Sequence, residues 1–324
     1  MNEREPGQLR LPMAVRVGLM VKGDARARIG EQSRRDAYQV EELPDAASIR
    51  NILATRRSYA AYALGQLDPK LIGLVRSWQA KGTSGQAVVL FSGGGLGDAL
   101  FAIGETGALE ALLRLHRGPR HNYATCQPEH LPVLRRYYGI AHEQPMLRMA
   151  VNSANFRPSE PPPDPVVLRR LRAPDVRGLN QLYNTEGAPA YYTAAHLRDG
   201  LYFGVFEEQR LVAVAGTHVI SEAEAIAVVG NVFTHPQARR HGYARMATGA
   251  VTQELLLRCR DVVLTVDPDN EPAVRAYRRL GYQDECRLIE AAVIRKEVLG
   301  LASWLARMFA RMRGRRQGVE LVMS

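Results

Sequence analysis

The sequence predicts an α+β fold: a mixed, largely antiparallel sheet flanked by helices, preceded by a smaller α/β N-terminal domain. Three observations carry this. Strand-like apolar runs alternate with helical patterns from residue 166 to 294. A strand, a glycine turn, a helix and a second strand follow one another directly between residues 225 and 266. A proline-rich stretch, Phe156-Arg157-Pro158-Ser159-Glu160-Pro161-Pro162-Pro163-Asp164-Pro165, divides the chain, because prolines hold it extended and semi-rigid.

The 324 residues suffice for two domains with sizeable cores. Residues 1–45 carry scattered arginines without a sustained period and read as a partly disordered basic N-terminus. Residues 46–154 read as the N-terminal α/β domain. Ile49, Ile52-Leu53 and Tyr59 mark a first helix, and Leu71-Ile72, Val75 and Trp78 a second. Ala87–Phe91 reads as a buried strand, Thr106–Leu115 as a helix, and His116 to Cys126 as a polar loop. Leu131–Tyr138 is helical in pattern and Met146–Val151 strand-like. The glycines of Ser92-Gly93-Gly94-Gly95-Leu96-Gly97-Asp98 suit a flexible turn. They lack the lysine of a P-loop and do not fit G-x-G-x-x-G.

Past the linker at 155–165, the main domain spans 166–294. Strand Val166–Leu171 leads to helices Asp175–Glu186 and Ala194–Asp199, then strands Leu201–Phe206 and Leu211–Ile220. The run Ala225 to Thr234 is a β-favouring strand stopped by His235-Pro236, since proline cannot extend a ladder. Arg239-Arg240-His241-Gly242-Tyr243-Ala244 then opens a helix reaching about Arg258. Its unsatisfied N–H groups, at the positive end of the dipole and behind a glycine, suit a phosphate or pyrophosphate. A plain tight turn is the alternative for this motif taken alone. Strand Asp261–Val266 and the segment Asn270-Glu271-Pro272-Ala273-Val274-Arg275-Ala276-Tyr277-Arg278-Arg279-Leu280-Gly281-Tyr282 follow, with proline at the helix start and glycine past its end. A final pair of strands occupies Tyr282 to Ile294.

This succession resembles the GNAT superfamily of acyl-CoA-dependent N-acyltransferases, over about Val166 to Ile294. Thr234-His235-Pro236 is similar to the subset related to glycine acyltransferases. The resemblance implies acetyl-CoA, or another acyl-CoA, as co-substrate. Its pyrophosphate would lie on the backbone of Arg240, His241, Gly242, Tyr243, Ala244 and Arg245, beside Arg239. Its pantetheine arm would pair along Val232, Phe233 and Thr234. Tyr277 would be the general acid for the departing thiolate, since a phenol is protonated at neutral pH. Asn270 either supports the coenzyme or caps its helix. Thr265 stands where family members that acetylate protein amino termini carry a glutamate base, so that mechanism is not expected. Glu222, Glu224, His218 and His235 leave the base unassigned. Tyr183, Tyr191 and Tyr192 are candidates for an acceptor pocket or for core anchors. The strand and helix order of 46–154 also suits a degenerate copy of the same fold.

The implied function is acetyl transfer to a primary amine by direct transfer in a ternary complex, the acceptor being a small-molecule amine or amino acid. A non-catalytic acyl-CoA-binding sensor or scaffold is the alternative, against which Tyr277 argues. Of the net charge of +10, residues 1–35 hold +4 and residues 295–324 hold +5. An excess at the ends rather than on the body argues against a nucleic-acid partner. No metal is expected, because the eight histidines and three cysteines show no ligand spacing. Neither a signal peptide nor an apolar run of spanning length is evident, so a cytoplasmic protein is expected. The basic tail, 295–324, places Leu301, Trp304-Leu305, Met308-Phe309 and Met312 on one helical stripe. That stripe suits docking on protein, or peripheral contact with an anionic membrane.

Overall fold

A computed structural model describes residues 38–93, 98–187 and 191–297, with 304, 305 and 308 of the tail. The basic N-terminus, most of the glycine-rich stretch and most of the tail stripe lie outside the described residues. The first half runs β1 (Gln39–Glu42), α1 (Ala46–Leu53), α2 (Ala61–Gly65), β2 (Val75–Gly82), β3 (Gly85–Ser92), β4 (Ala99–Gly104), α3 (Thr106–Leu115), β5 (His121–Cys126), α4 (Leu131–Tyr137) and β6 (Tyr138–Val151). The second runs β7 (Val167–Arg170), α5 (Val176–Tyr183), α6 (Ala194–Asp199), β8 (Phe203–Glu207), β9 (Arg210–Ser221), β10 (Ile226–Thr234), α7 (Tyr243–Leu256), β11 (Asp261–Val266), α8 (Glu271–Arg279) and β12 (Gln283–Arg295). The two halves repeat one order: strand, two helices, three strands, helix, strand, helix, strand.

All twelve strands form a single sheet in the order β1-β2-β3-β4-β5-β12-β6-β11-β10-β9-β8-β7. Two pairs, β4 with β5 and β10 with β11, are parallel and joined by a crossover helix; the rest are antiparallel. At the centre the last strands of the two halves are exchanged. β12 pairs with β5 of the first half from Ile289↔Cys126 to Ile294↔His121, and β6 pairs with β11 of the second half from Val262↔Val151 to Val266↔Leu147. Between them β6 and β12 pair with each other along nearly their whole lengths.

Helices cover both faces. α7 and α8 bury Met246, Ala247, Val251, Val274 and Leu280 against β10 and β11, and α3 and α4 bury Leu109, Leu112 and Leu134 against β3, β4 and β5. α5 and α6 pack Leu179, Leu182 and Leu197 on β8 and β9. α1 and α2 bury Leu53 and Leu64 in a cluster that draws on both halves, with Leu90 and Phe101 from one and Ile226, Val228, Val263 and Leu288 from the other. Two ion pairs reinforce this contact: Arg50 donates through Nε and Nη2 to the buried Glu224, and Arg57 bonds Asp261 at 2.9 Å.

The second half follows the expected elements closely, but several expectations are corrected. The helix expected around Leu71–Trp78 is a short 3₁₀ turn, Ile72–Leu74, followed by strand β2. Leu71, Ile72, Val75 and Trp78 fall at helical spacing by coincidence, and the eight-residue hairpin with β3 decides the conformation. The polar loop expected through His121 and Cys126 ends in strand β5, which β4 and β12 trap between them. The final pair of strands is one continuous strand, β12, with register shifts after Asp284 and Ala292 rather than a turn. Gln39–Glu42, expected in the disordered segment, forms edge strand β1, and β4 had not been anticipated.

Leu288 is fully buried where both halves meet. Leu288→Ala is expected to cost about 2–5 kcal/mol. Denaturant unfolding monitored from each half should still show one shared transition; two separated transitions would contradict the shared core.

Candidate active site

The site grows from one break in the sheet. Asn231 has φ +53°, and the register with β9 slips between Gly230 and Phe233, so β10 carries a bulge there. Asparagine tolerates this left-handed conformation better than the surrounding valines would. The parallel pairing with β11 stops at Val229↔Leu264, whereas β11 continues to Val266 alongside β6. β10 therefore splays away, and from Gly230 to Thr234 its β11-side edge has no strand partner. Its other edge stays on β9 through Phe233↔Val214 and Thr234↔Ala213.

Four side chains hold the bulge. Tyr183 donates its hydroxyl to the Asn231 carbonyl at 2.5 Å. Asn231 Nδ2 donates to the Tyr202 hydroxyl at 3.1 Å, which turns Oδ1 toward His218 Nε2 at 3.0 Å. That nitrogen then carries the imidazole proton, and Nδ1 accepts from the Tyr62 hydroxyl at 2.6 Å. His218 keeps an exposed edge, yet protein crowds most of its surroundings. This desolvation lowers its pKa, against the upward pull of the Asn231 bond and Glu290, with Arg148 adding to the lowering. Across the splay Arg148 on β6 is fully buried and donates to Thr265 Oγ1 at 2.5 Å. Its guanidinium carbon lies 5.1 Å from the Tyr62 ring centroid, and Nε and Nη2 have no hydrogen-bond partner among the described residues.

Beyond the splayed edge, His235-Pro236 turns the chain into a short 3₁₀ segment, Pro236–Ala238. Arg240 (φ +73°) and Gly242 (φ +81°) swing the backbone into α7. Gly242 is the N-cap, no side chain caps the first N–H groups, and a Cβ at 242 would meet nothing within 4 Å. The helix start thus opens onto free space. Arg240 and His241 are exposed, and Arg240 and Arg245 form no ion pair among the described residues. Arg239 is engaged differently: it pairs with Glu186 and donates to the Thr234 carbonyl. Tyr243 turns inward and donates to Glu207.

Tyr277 on α8 is 7% exposed, and Val232 packs on the same cluster. Its hydroxyl has no hydrogen-bond partner among the described residues, and burial pushes its pKa up to about 12. Asn270 caps α8 by accepting from Ala273 N at 3.3 Å. Tyr183 and Tyr192 stack at 5.0 Å beside Phe233, forming an aromatic wall next to the bulge, whereas Tyr191 is 80% exposed and takes no part. Glu222 and Glu224 sit at the opposite end of the β9–β10 hairpin, paired with Arg258 and Arg50. The sequence reading missed Asn231, Tyr62 and Arg148. Asn231 was detectable as a polar residue inside a valine-rich run, and Arg148 as a charge inside Met146–Val151.

The splayed edge of β10 and the uncapped start of α7 thus follow one another along the chain, and the buried Tyr277 shares a core cluster with Val232 of that edge. Residues 168–282 match the acetyltransferase (GNAT) family, and it is this segment of the chain that carries the likeness. No curated protein matches the chain. Among solved structures, a GCN5-related N-acetyltransferase from Sphaerobacter thermophilus is similar over 81% of this chain and 97% of its own, at 16% identity and TM-score 0.52. A Drosophila protein matches 74% of this chain and 88% of its own, at 14% identity and TM-score 0.51. A GCN5-related N-acetyltransferase from Kribbella flavida matches 65% and 87%, at 21% identity and TM-score 0.48. The first two likenesses concern the fold, and it extends well beyond the family-matched segment.

Tyr183→Phe removes the only hydrogen bond described at the Asn231 carbonyl. The expected cost is about 1–3 kcal/mol, read from the urea midpoint. An unchanged midpoint would mean that the bulge stands without this bond.

Proposed function

We propose that the protein transfers an acetyl group from acetyl-CoA to a primary amine, directly and within a ternary complex. The observation carrying this reading is the pairing of the splayed β10 edge with the uncapped α7 N-terminus. Acetyl-CoA supplies the activated acyl group as a thioester; the chain supplies orientation and proton handling.

The residues fit such a ligand. The N–H groups at the start of α7, which no side chain caps, with the helix dipole and the cations of Arg240 and Arg245, which form no ion pair among the described residues, suit a pyrophosphate. The edge at Val232, Phe233 and Thr234 suits an extended amide-bearing arm, which would add as a strand. Thr234 Oγ1 is buried there without a hydrogen-bond partner among the described residues, and can both accept and donate. Arg239, tied to Glu186, shapes the turn in this reading rather than holding phosphate, and Asn270 contributes by fixing the start of α8. Tyr277, kept protonated by burial and without a hydrogen-bond partner among the described residues, is the proton donor to the leaving thiolate. Tyr183 and Tyr192 form one wall for the acceptor.

We further propose that the first half is a degenerate copy of the same fold. Its crossover helix α3 begins directly after β4, and Glu105 caps it, accepting from Gly107 N and Ala108 N at 2.7 Å each. A carboxylate thus occupies the position that in α7 stays open to an anion.

Calorimetry with acetyl-CoA should give one site per chain, abolished by Gly242→Glu, whose carboxylate would repel the pyrophosphate. A stoichiometry of two would refute the degenerate-copy reading, and no binding would refute the cradle. Tyr277→Phe should bind acetyl-CoA normally and lower turnover with a responsive amine about 100-fold, followed by free thiol release. Binding without turnover for any amine would favour a sensor over an enzyme.

A further inference from the structure

We infer that the acceptor's proton leaves through the Tyr62 hydroxyl to His218, so that the first half of the chain supplies part of the catalytic machinery of the second. The inference rests on the acyltransferase reading above.

Direct attack by an amine needs a group that takes its proton, and the carboxylates nearest in sequence are unavailable. Thr265 occupies the β11 position at the splay and accepts from Arg148. Glu222 and Glu224 are paired at the far end of the hairpin. His218 differs from all of them. Through Nε2 it is bonded to Asn231, the residue immediately before the edge on which the acyl arm would lie. Its lone pair at Nδ1 faces Tyr62, whose oxygen also lies within hydrogen-bonding reach of Thr265 and Arg148. Because both imidazole nitrogens are engaged, the first proton transfer from the amine is assigned to the phenol oxygen rather than to the ring.

The step balances without a further reagent. The amine nitrogen bonds to the thioester carbon, and the C–S bond breaks. The nitrogen's proton passes to Tyr62 Oη as the Tyr62 proton passes to His218 Nδ1, and Tyr277 protonates the departing sulfur. His218 ends as imidazolium and Tyr277 as phenolate, and solvent returns the proton between them. Tyr62 never becomes an anion. Its pKa, lifted by burial to about 12 and opposed by Arg148, is therefore no obstacle. The charged and titratable groups facing this pair are Arg148 on β6, Glu290 on β12 and Tyr123 on β5, whose hydroxyl donates to Glu290 at 3.1 Å, with Tyr62 itself on α2. Burial and Arg148 keep His218 neutral near pH 7, ready to accept.

The chain brings Tyr62 here by close packing. Gly65 ends α2 against β9, where a Cβ would come within 2.2 Å of Val219 Cγ1. A larger residue at 65 would lift the helix and break the reach of Tyr62 to His218.

The test combines two readouts on wild type, Tyr62→Phe, His218→Gln and, as a control, Glu222→Gln. Histidine ¹⁵N NMR of the free protein should show His218 as the Nε2–H tautomer, titrating below the ordinary imidazole value of about 6.5. Its pKa should rise in Tyr62→Phe, because the phenol stabilises the neutral ring. With acetyl-CoA and a panel of primary amines, both site variants should bind acetyl-CoA as wild type does. Each should lose about 100-fold in kcat and flatten the acid limb of the pH profile, while Glu222→Gln changes neither. A wild-type rate and pH profile in Tyr62→Phe, or His218 as the Nδ1–H tautomer, would overturn the relay and leave the acyltransferase reading standing. Acetyl-CoA binding without thiol release from wild type for any amine would overturn that reading, and the relay with it.

Discussion

Everything in this molecule depends on the antiparallel pairing of β6 with β12. Each is the last strand of its half, yet each completes the sheet of the other: β12 lies on β5, and β6 on β11. A strand whose hydrogen-bonding edges are both used cannot leave without stranding N–H and C=O groups on two neighbours. The exchange therefore joins the halves more firmly than the proline-rich segment between Val151 and Val167 could. It also brings Arg148 of the first half beside Thr265 of the second, since those residues are register partners.

The exchange explains why the candidate site is composite. A sheet that pairs fully offers no backbone to a ligand, and the Asn231 bulge is the place where pairing is given up. Once β10 leaves β11, the gap needs walls. α5 and the segment after it supply one with Tyr183 and Tyr192, and α2 supplies another with Tyr62. Arg148 forms the floor, a buried cation stacked on the Tyr62 ring and bonded to Thr265. Such a charge tolerates burial only where polar partners and π-faces surround it.

Much of the second half was legible in the sequence because its signals are local. Strand Asp261–Val266, the helix start at Gly242, and Pro272 and Gly281 bracketing α8 all follow from spacing and backbone preference alone. The first half was less legible because its strands depend on distant partners. His121–Cys126 is a mostly polar run with no continuous apolar stretch, and it is a strand because β12, from the far end of the chain, lies against it. Leu71, Ile72, Val75 and Trp78 carry a helical spacing of apolar residues that the hairpin of β2 with β3 overrides. The candidate site divides the same way. Gly242, Val232–Thr234 and Tyr277 are candidates that one stretch of the sequence supplies by local spacing. Tyr62 and His218 are 156 residues apart, and no local pattern announces their contact.

The crossed strands also set a timetable. A ribosome releases the first half long before Gln283 is made, at roughly 5–20 residues per second. For that interval β5, complete at Cys126, presents an unpaired edge beside β4, the kind of edge that recruits foreign strands. β6 is already available but belongs in the middle of the finished sheet, so pairing it with β5 would give a closed yet incorrect half. Synthesis thus passes through a state in which the nearest partner is the wrong one. The native order requires β12 between them.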